Sequence, residues 1–319
     1  MKTRTLTILG LAIVVGLLVA CGGGGSGGGG GGNNPPPPPP TLDEQLRAVI
    51  AAKGLTGDPA TGRGLPSINE PVAQLGKLLF FSKSLSGDMD TACASCHHPA
   101  LGGGDALAMP VGTGAIDPDV VGPGRQRADG LPNVGRHSQS VFNVGLYDAA
   151  MFWDSRVESI GKEAGQNGAG SGIRTPESAL HVADPLVAPG SSLVAAQARF
   201  PVVVPEEMLG SFMPGASPEA VRQRLAERIG DYGAGAGELP NNNWLAAFQA
   251  AFASAAPAEQ LITFDNIALA LGEYQRSMVF VDTPWKAYVQ GDNSAISTSA
   301  KRGALLFYGD LNPGLACDQ

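Results

Sequence analysis

The sequence predicts a mostly α-helical protein with long irregular loops. Several segments carry apolar residues at helical spacing, and each is bounded by residues that start or stop helices. No stretch of useful length shows the alternation of apolar and polar residues that is typical of a half-buried strand. The 45 glycines and 25 prolines among 319 residues indicate that a large share of the chain lies in loops. We therefore expect an all-α fold with long irregular loops.

The first twenty residues have the composition of an export signal. Two basic residues precede an apolar run at 6–20, which is short for a membrane span. The run ends in Leu-Val-Ala-Cys, which resembles the bacterial lipobox, where the signal is cleaved before a cysteine that then carries lipid. We predict a signal peptide at 1–20 and lipid on Cys21; an uncleaved anchor helix is the alternative. Gly22 is not the aspartate that retains many lipoproteins at the inner membrane, which favours a periplasmic protein anchored to the outer membrane.

A low-complexity segment follows the signal. Residues 22–32 are almost pure glycine, and residues 35–40 are all proline. Glycine runs form flexible coils, and proline runs form extended, semi-rigid rods. We predict a Gly/Pro-rich tether at 21–40 and a folded chain from Thr41 onward.

From Thr41 the predicted helices have clear boundaries. Thr41 and Glu44 form a capping box for the first helix, and Ser217 caps a later helix that we expect to end at Gly230. The predicted helices begin near Leu42, Pro71, Pro218, Trp244, Phe264 and Ser299. Long irregular segments are predicted at 101–135 and 161–205.

The most informative stretch is the Cys-x-x-Cys-His motif formed by Cys93, Cys96 and His97. This motif is the attachment signature of a c-type haem. Two thiols three residues apart on one helical turn can both reach the haem vinyl groups and form thioethers. The following histidine then presents an imidazole nitrogen to the iron.

The cysteine pair has two alternative interpretations, a zinc site and a disulfide. A zinc site needs four nitrogen or sulfur ligands, and the remaining cysteines, Cys21 and Cys317, do not form a second pair. A Cys93–Cys96 disulfide would leave His97 unexplained. Covalent haem is therefore the favoured hypothesis. The net charge of −8 argues against nucleic acid and anionic membrane surfaces as partners, and it is compatible with docking of a basic electron carrier.

A series of different short motifs extends along most of the chain from Thr41. They lie at 75–81, 85–86, 93–97 with 102–105, 136–143, 152–156 (Phe-Trp-Asp-Ser-Arg), 205–208 (Pro-Glu-Glu-Met), 262–267 and 300–307. As an ordered set, they resemble the bacterial di-haem cytochrome c peroxidases, which include the MauG-like enzymes.

The resemblance implies two haem c domains, an N-terminal peroxidatic one and a C-terminal one that passes electrons to it. We assign residues 41–280 to a cytochrome c-like haem domain with insertions, and 281–319 to the truncated start of a second one. Cys317 with the two residues after it looks like the first part of a second attachment motif. The sequence is then either a fragment or ends at an in-frame stop; a stray tail thiol is the other alternative.

The resemblance also implies the catalytic residues. Glu207 aligns with the distal glutamate of the family, which would exchange protons with hydrogen peroxide; the alternative is an acid favoured at a helix N-terminus. Glu163 falls where the family usually has glutamine, which predicts a second carboxylate in the same pocket. Trp153 would relay electrons between the haems, unless it is an ordinary core aromatic.

Two departures from the family pattern concern ligands. Many relatives have a histidine in the loop after the haem motif that ligates the resting iron; here that position holds Thr113, and His137 is a candidate to replace it. His137 itself stands where the family often has an asparagine that binds an interdomain calcium ion, so the calcium site is left open.

The resemblance favours a periplasmic peroxidase that reduces hydrogen peroxide with electrons from a small cytochrome c or cupredoxin. Two alternatives remain. One is a MauG-like oxidase of a protein or organic substrate, and the other is an electron-transfer cytochrome c without catalytic activity, in which both axial positions of the iron are usually filled.

Overall fold

The computed structural model describes residues 37–309 and Cys317. The described residues from Leu42 onward belong to one compact unit. They are mostly helical, as the sequence predicts, with ten α-helices and one three-stranded sheet in this part of the chain. None of the described helices is both long and apolar enough to cross a membrane. The predicted signal peptide, Cys21 and most of the tether at 21–40 lie outside the described residues.

The predicted helices are confirmed to within a residue at their starts. In chain order the helices are α1 Leu42–Ala52, α2 Pro71–Phe81, α3 Cys93–Cys96, α4 Leu193–Gln197, α5 Pro218–Gly230, α6 Trp244–Phe252, α7 Ala258–Leu261, α8 Phe264–Ser277, α9 Pro284–Val289 and α10 Thr298–Phe307. Helix α3 is the helical turn that the attachment motif predicts. The sequence did not predict helices α4, α7 and α9, which are four to six residues long and too short for an apolar stripe to repeat.

Helix α5 shows how local chemistry sets the boundaries. The Ser217 hydroxyl accepts a hydrogen bond from the Ala220 amide at 3.2 Å, which satisfies one of the free N–H groups of the first turn. The helix ends at Gly230, as the sequence predicts, and Asp231 after it takes the left-handed conformation with φ of 56°. Aspartate tolerates this conformation because its short side chain can bond to nearby backbone.

A small antiparallel sheet corrects the all-α prediction. Its strands are β1 Ala150–Met151, β2 Val157–Ser159 and β3 Ile173–Arg174, with β2 in the centre. Strands of two or three residues show no alternation in the sequence, so no pattern could have predicted them. The sheet holds the segment around Phe152 beside the main helical core.

The predicted irregular segment 161–205 is an ordered part of the protein. The Asp148 carboxylate accepts hydrogen bonds from the Gly165 and Asn167 amides, both at 2.9 Å. Farther along, Glu177 pairs with the fully buried guanidinium of Arg222 on α5. The segment is therefore attached to the rest of the protein at Gly165 and Asn167 and again at Glu177.

The main core forms where α2 crosses α8. Gly76 lies so close to α8 that a Cβ placed there would be 1.8 Å from the Ala270 carbonyl oxygen. The two backbones therefore touch, and Leu75, Leu79 and Phe80 are buried around the contact. Leu78 of the same helix is 57% exposed and lies outside this core.

A second, smaller cluster joins the two ends of the described chain. Leu46 and Ile50 of α1 pack against Tyr288 of α9 and Leu305 of α10. The Asp43 carboxylate accepts a hydrogen bond from the Tyr288 hydroxyl at 2.8 Å. Helix α1 thus packs against helices that the sequence assigned to the second haem domain at 281–319. The boundary between 41–280 and 281–319 stays a prediction.

A candidate haem cavity with a buried carboxylate

The attachment motif forms one turn of helix followed by its histidine. Helix α3 contains Cys93 and Cys96, and the His97 amide donates to the Cys93 carbonyl at 2.9 Å. The turn begins where the Ala92 amide donates to the Ser95 hydroxyl at 3.0 Å. Both cysteines are free thiols, so the disulfide alternative is not observed. Both thiols and the imidazole line the same cavity.

The cavity is large and mostly apolar. It holds about 1410 Å³ of empty space, part of it open to solvent. Its apolar lining comes from elements far apart in sequence, including Phe80, Val141, Val202, Met208 and Leu271. The apolar lining around the two thiols and the imidazole suits a flat, apolar group such as a haem.

The ring of His97 is held in the form that a metal requires. Its Nδ1 atom lies 3.0 Å from the Gln139 carbonyl oxygen, so the neutral ring donates from Nδ1 and leaves Nε2 available as a ligand. Burial lowers the pKa of His97, which favours the neutral imidazole at neutral pH.

The two thiols fit a haem better than a zinc ion. Burial raises the pKa of Cys93 to about 12 and that of Cys96 to about 11. A zinc site needs thiolates, whereas a thioether is neutral and suits apolar surroundings. No group of three or more His, Cys, Asp or Glu side chains is placed to hold a metal ion in the described part of the chain. The residues present therefore fit a covalently attached haem, with Cys93 and Cys96 as attachment points and His97 as the iron ligand.

Glu207 lies in the same cavity. It sits in a single π-helical turn, Pro205–Leu209, in which the Leu209 amide donates to the Val204 carbonyl at 3.0 Å. The side chain is half-buried and lines the cavity together with Arg156. Burial raises the pKa of the Glu207 carboxyl; the positive charge of Arg156 lowers it, and the negative charge of Glu206 raises it further. The structure thus brings Glu207, His97 and both cysteines together, as the sequence predicted.

Trp153 lies at the edge of this cavity and is not a core aromatic. Its side chain is 74% exposed, and the guanidinium carbon of Arg136 lies 4.3 Å from the ring centroid. Its role as an electron relay stays a prediction.

Glu163 does not reach the cavity, contrary to the sequence-based expectation of a shared pocket. It lies in the turn between β2 and β3, where its carboxylate accepts a hydrogen bond from the Ser171 hydroxyl. This bond lowers the pKa of Glu163, whereas two carboxylates in one pocket would raise one of their pKa values. The turn between β2 and β3 holds Glu163 away from the cavity lining, so its match to the family's glutamine does not place a second carboxylate there.

Sequence reasoning missed Gln197. This residue ends helix α4, lines the cavity, and has no hydrogen-bond partner for its side-chain amide among the described residues. It lies ten positions before Glu207, and Pro201 and Pro205 limit the conformations of the intervening chain. No sequence pattern points to this amide, because its place in the cavity depends on the tertiary fold.

Thr113 and His137, which stand at ligand positions of the family pattern, both contact backbone carbonyls. Thr113 is buried, and its hydroxyl donates to the Pro205 carbonyl at 2.9 Å. His137 lines the cavity, and its Nδ1 lies 2.8 Å from the Leu107 carbonyl oxygen. The calcium site associated with His137 stays a prediction.

Cys317 is exposed and is in no disulfide within the described part of the chain. Its amide donates to the Phe307 carbonyl at 2.7 Å, close to the end of α10. Its neighbours at 310–316 and 318–319 lie outside the described residues. The second attachment motif therefore stays a prediction.

Comparison with known proteins gives consistent matches. Residues 70–294 match the family model described as di-haem cytochrome c peroxidase. The chain is 28% identical over 245 residues to the cytochrome c551 peroxidase of Pseudomonas aeruginosa, covering 77% of this chain and 49% of that protein. It is 30% identical over 244 residues to the methylamine utilization protein MauG of Methylorubrum extorquens, covering 76% and 48%. The chain thus spans about half the length of these curated relatives.

A solved structure also matches. It is described as a MauG-like protein associated with microbial copper homeostasis, with a TM-score of 0.46 and 19% identity, and the match covers 78% of this chain and 54% of that one. At that score the similarity supports no conclusion about this chain.

Proposed function

The chain belongs to the di-haem cytochrome c peroxidase family, and we propose that it forms the peroxidatic part of a periplasmic enzyme that reduces hydrogen peroxide to water. The electrons would come from a small redox protein such as a cytochrome c or a cupredoxin. Residues 41–280 would form a cytochrome c-like haem domain, and 281–319 the start of a second one.

The observation that carries this proposal is the carboxyl group of Glu207 in the cavity of His97 and the two attachment cysteines. Electron transfer alone requires no acid or base beside the iron. A carboxyl group with a raised pKa, in the same cavity as the iron ligand, is the group that general acid–base catalysis on peroxide requires. This favours a peroxidase over an electron-transfer cytochrome.

A haem bound in the cavity would supply the two electrons that cleave the O–O bond, and the redox protein would restore them. The residues of the chain move and hold the proton. Glu207 takes a proton from the inner oxygen of hydrogen peroxide and returns it to the outer oxygen, which leaves as water. The Gln197 amide can donate a hydrogen bond to the peroxide and orient it. Two further protons from solvent complete the second water.

The test is the Glu207→Gln variant. We expect peroxide turnover to fall by about 10²-fold or more, with haem content unchanged, because a positioned acid–base group contributes this much. Glu206→Gln is the matched control, since Glu206 is the exposed neighbour in the same turn. Equal turnover in the wild type and Glu207→Gln would overturn the proposal.

A spectrum separates peroxidase from electron-transfer cytochrome. Thr113 offers no ligating nitrogen, and its hydroxyl is already bonded to Pro205. We therefore expect the ferric haem on Cys93 and Cys96 to be high-spin and to bind cyanide without prior reduction. A low-spin, bis-histidine spectrum would contradict this, and a return to high spin in His137→Ala would identify the ligand.

A MauG-like oxidase is the second candidate. The specific observation in its favour is Trp153, whose exposed ring at the cavity edge could contact a protein or organic substrate. Peroxide consumption with a reduced small cytochrome, compared with consumption with organic donors, distinguishes the two. A Trp153→Phe variant that loses only oxidation of the organic donor would favour the oxidase.

We also propose that the mature protein is attached to the outer membrane through lipid on Cys21. A Cys21→Ser variant should then appear in the soluble periplasmic fraction. Mass spectrometry of the same samples should find a haem attached to Cys93 and Cys96.

A further inference from the structure

The loop after the attachment motif is bonded directly to the turn that carries Glu207. This loop, residues 101–135, is irregular apart from short 3₁₀ turns. Two of its side chains, Thr113 and Asn133, meet backbone atoms of Pro205 and Glu206. The contact joins residues 92 positions apart in the sequence.

Four hydrogen bonds make up this contact. The Thr113 hydroxyl donates to the Pro205 carbonyl at 2.9 Å, and the Thr113 amide donates to the Glu206 carbonyl at 3.1 Å. The Asn133 side-chain amide donates to the Glu206 carbonyl and to the Thr113 hydroxyl, each at 3.1 Å. The two carbonyls immediately before Glu207 are thereby both occupied. We call these two side chains the Thr113–Asn133 clamp.

The backbone of the loop approaches the turn as closely as sterics permit. A Cβ placed on Gly112 would be 1.9 Å from the Glu206 carbonyl oxygen, and Gly112 has φ of +65°. Glycine is the residue that tolerates both conditions. The Gly112 carbonyl in turn accepts hydrogen bonds from Arg125 at 2.9 Å and Thr91 at 3.1 Å. Thr91 lies two positions before the first attachment cysteine, so the loop connects the attachment motif to the turn of Glu207.

A single π-helical turn is a weak scaffold for a catalytic group. Helices this short have no cooperative stability of their own, so contacts from outside decide where the side chain points. On the opposite side, the Gly87 amide donates to the Met208 carbonyl at 2.8 Å. The clamp thus binds the backbone immediately before Glu207, and Gly87 binds the backbone immediately after it.

We propose that Thr113 and Asn133 are positioning residues that hold the Glu207 carboxyl in the cavity. The inference rests on the proposed role of Glu207 in peroxide turnover. Thr113 thus has a role of its own at the position where many relatives have an iron-ligating histidine. The clamp fixes the backbone immediately before Glu207, and so the direction in which its carboxyl points.

The test compares Thr113→Val, which keeps the shape and removes the hydroxyl, with Thr113→Ser, which keeps the hydroxyl. In the haem-loaded protein we expect Thr113→Val to lower kcat for peroxide by about tenfold and to increase hydrogen exchange of the amides at 205–209 by about tenfold, as loss of a buried hydrogen bond does. Thr113→Ser should restore both.

A pH profile separates positioning from general destabilisation. Burial is the main cause of the raised pKa of Glu207, so a carboxyl released toward solvent should titrate at lower pH. The limb of the kcat profile that reports Glu207 should therefore move to lower pH in Thr113→Val and not in Thr113→Ser. Loss of folded protein would reduce the amplitude of the profile and leave its midpoint in place.

A second variant covers the case in which Thr113→Val does not fold. Asn133 is half-buried, and Asn133→Ala should give the same exchange and pH effects; Asn241→Ala, an exposed asparagine outside the cavity, is its control. If Glu207→Gln keeps full turnover, the proposed function fails. If Glu207→Gln is impaired while Thr113→Val or Asn133→Ala has the wild-type exchange and pH midpoint, the clamp is refuted.

Discussion

Replacing Arg228 with methionine should destabilise the protein severely. The Arg228 side chain is 2% exposed and donates to the carbonyls of Ser86 at 2.7 Å and Gly87 at 3.2 Å. It also pairs with Glu238 at 2.5 Å, and its guanidinium carbon lies 4.5 Å from the Phe212 ring centroid. One buried cation thus organises the backbone turn that precedes the attachment motif.

The size of the effect follows from what remains after the change. Methionine preserves most of the apolar contact with Phe212 but leaves Glu238 and the buried carbonyls without this donor. Breaking a buried, hydrogen-bonded ion pair by removing one partner costs about 3–5 kcal/mol. At about 2–4 °C per kcal/mol for a domain of this size, Tm should fall by roughly 6–20 °C.

The matched control is Arg224→Met on the same helix. Arg224 pairs with the same Glu238, but its side chain is 21% exposed. Partly exposed ion pairs contribute about 1 kcal/mol or less, so Tm should fall by less than about 4 °C. The assay is thermal unfolding of the haem-loaded proteins, followed by circular dichroism and by the Soret band. Equal Tm values for the two variants would refute the reasoning.

Two further predictions concern packing and charge. Gly76→Ala should force α2 away from the Ala270 carbonyl and lower the free energy of unfolding by about 1–3 kcal/mol, as overpacking does. Urea denaturation measures this loss, and an unchanged midpoint would contradict the close approach of the helices. Burial raises the pKa of Glu207 above its ordinary value of 4.5, so the folded state binds this proton more tightly than the unfolded state. The ionised carboxylate therefore lowers the free energy of unfolding above the ordinary pKa. Glu207→Gln should be more stable than the wild type at pH 7 and equal to it below pH ~4, which urea titrations at both pH values measure. A variant that is less stable at pH 7 would show that the ionised carboxylate is favourably paired.

The sequence by itself determined the parts of this protein that depend on neighbouring residues. The long helices were predictable because caps such as Ser217 and apolar stripes act within a few turns. The attachment motif was predictable because its chemistry is contained in the five residues from Cys93 to His97. The position of Glu207 in the cavity could also be predicted, since the segment 205–208 resembles a family motif.

Only the tertiary structure decided which distant residues meet. Glu163, which falls at the family's glutamine position in the sequence, lies outside the cavity, whereas Gln197 lines it together with Glu207. The hydrogen bonds from Thr113 to Pro205 and Glu206, and the packing of α1 against α9 and α10, join segments that no local pattern relates. Local structure follows from short-range sterics and hydrogen bonding. The site depends on long-range contacts, which form only when the chain folds.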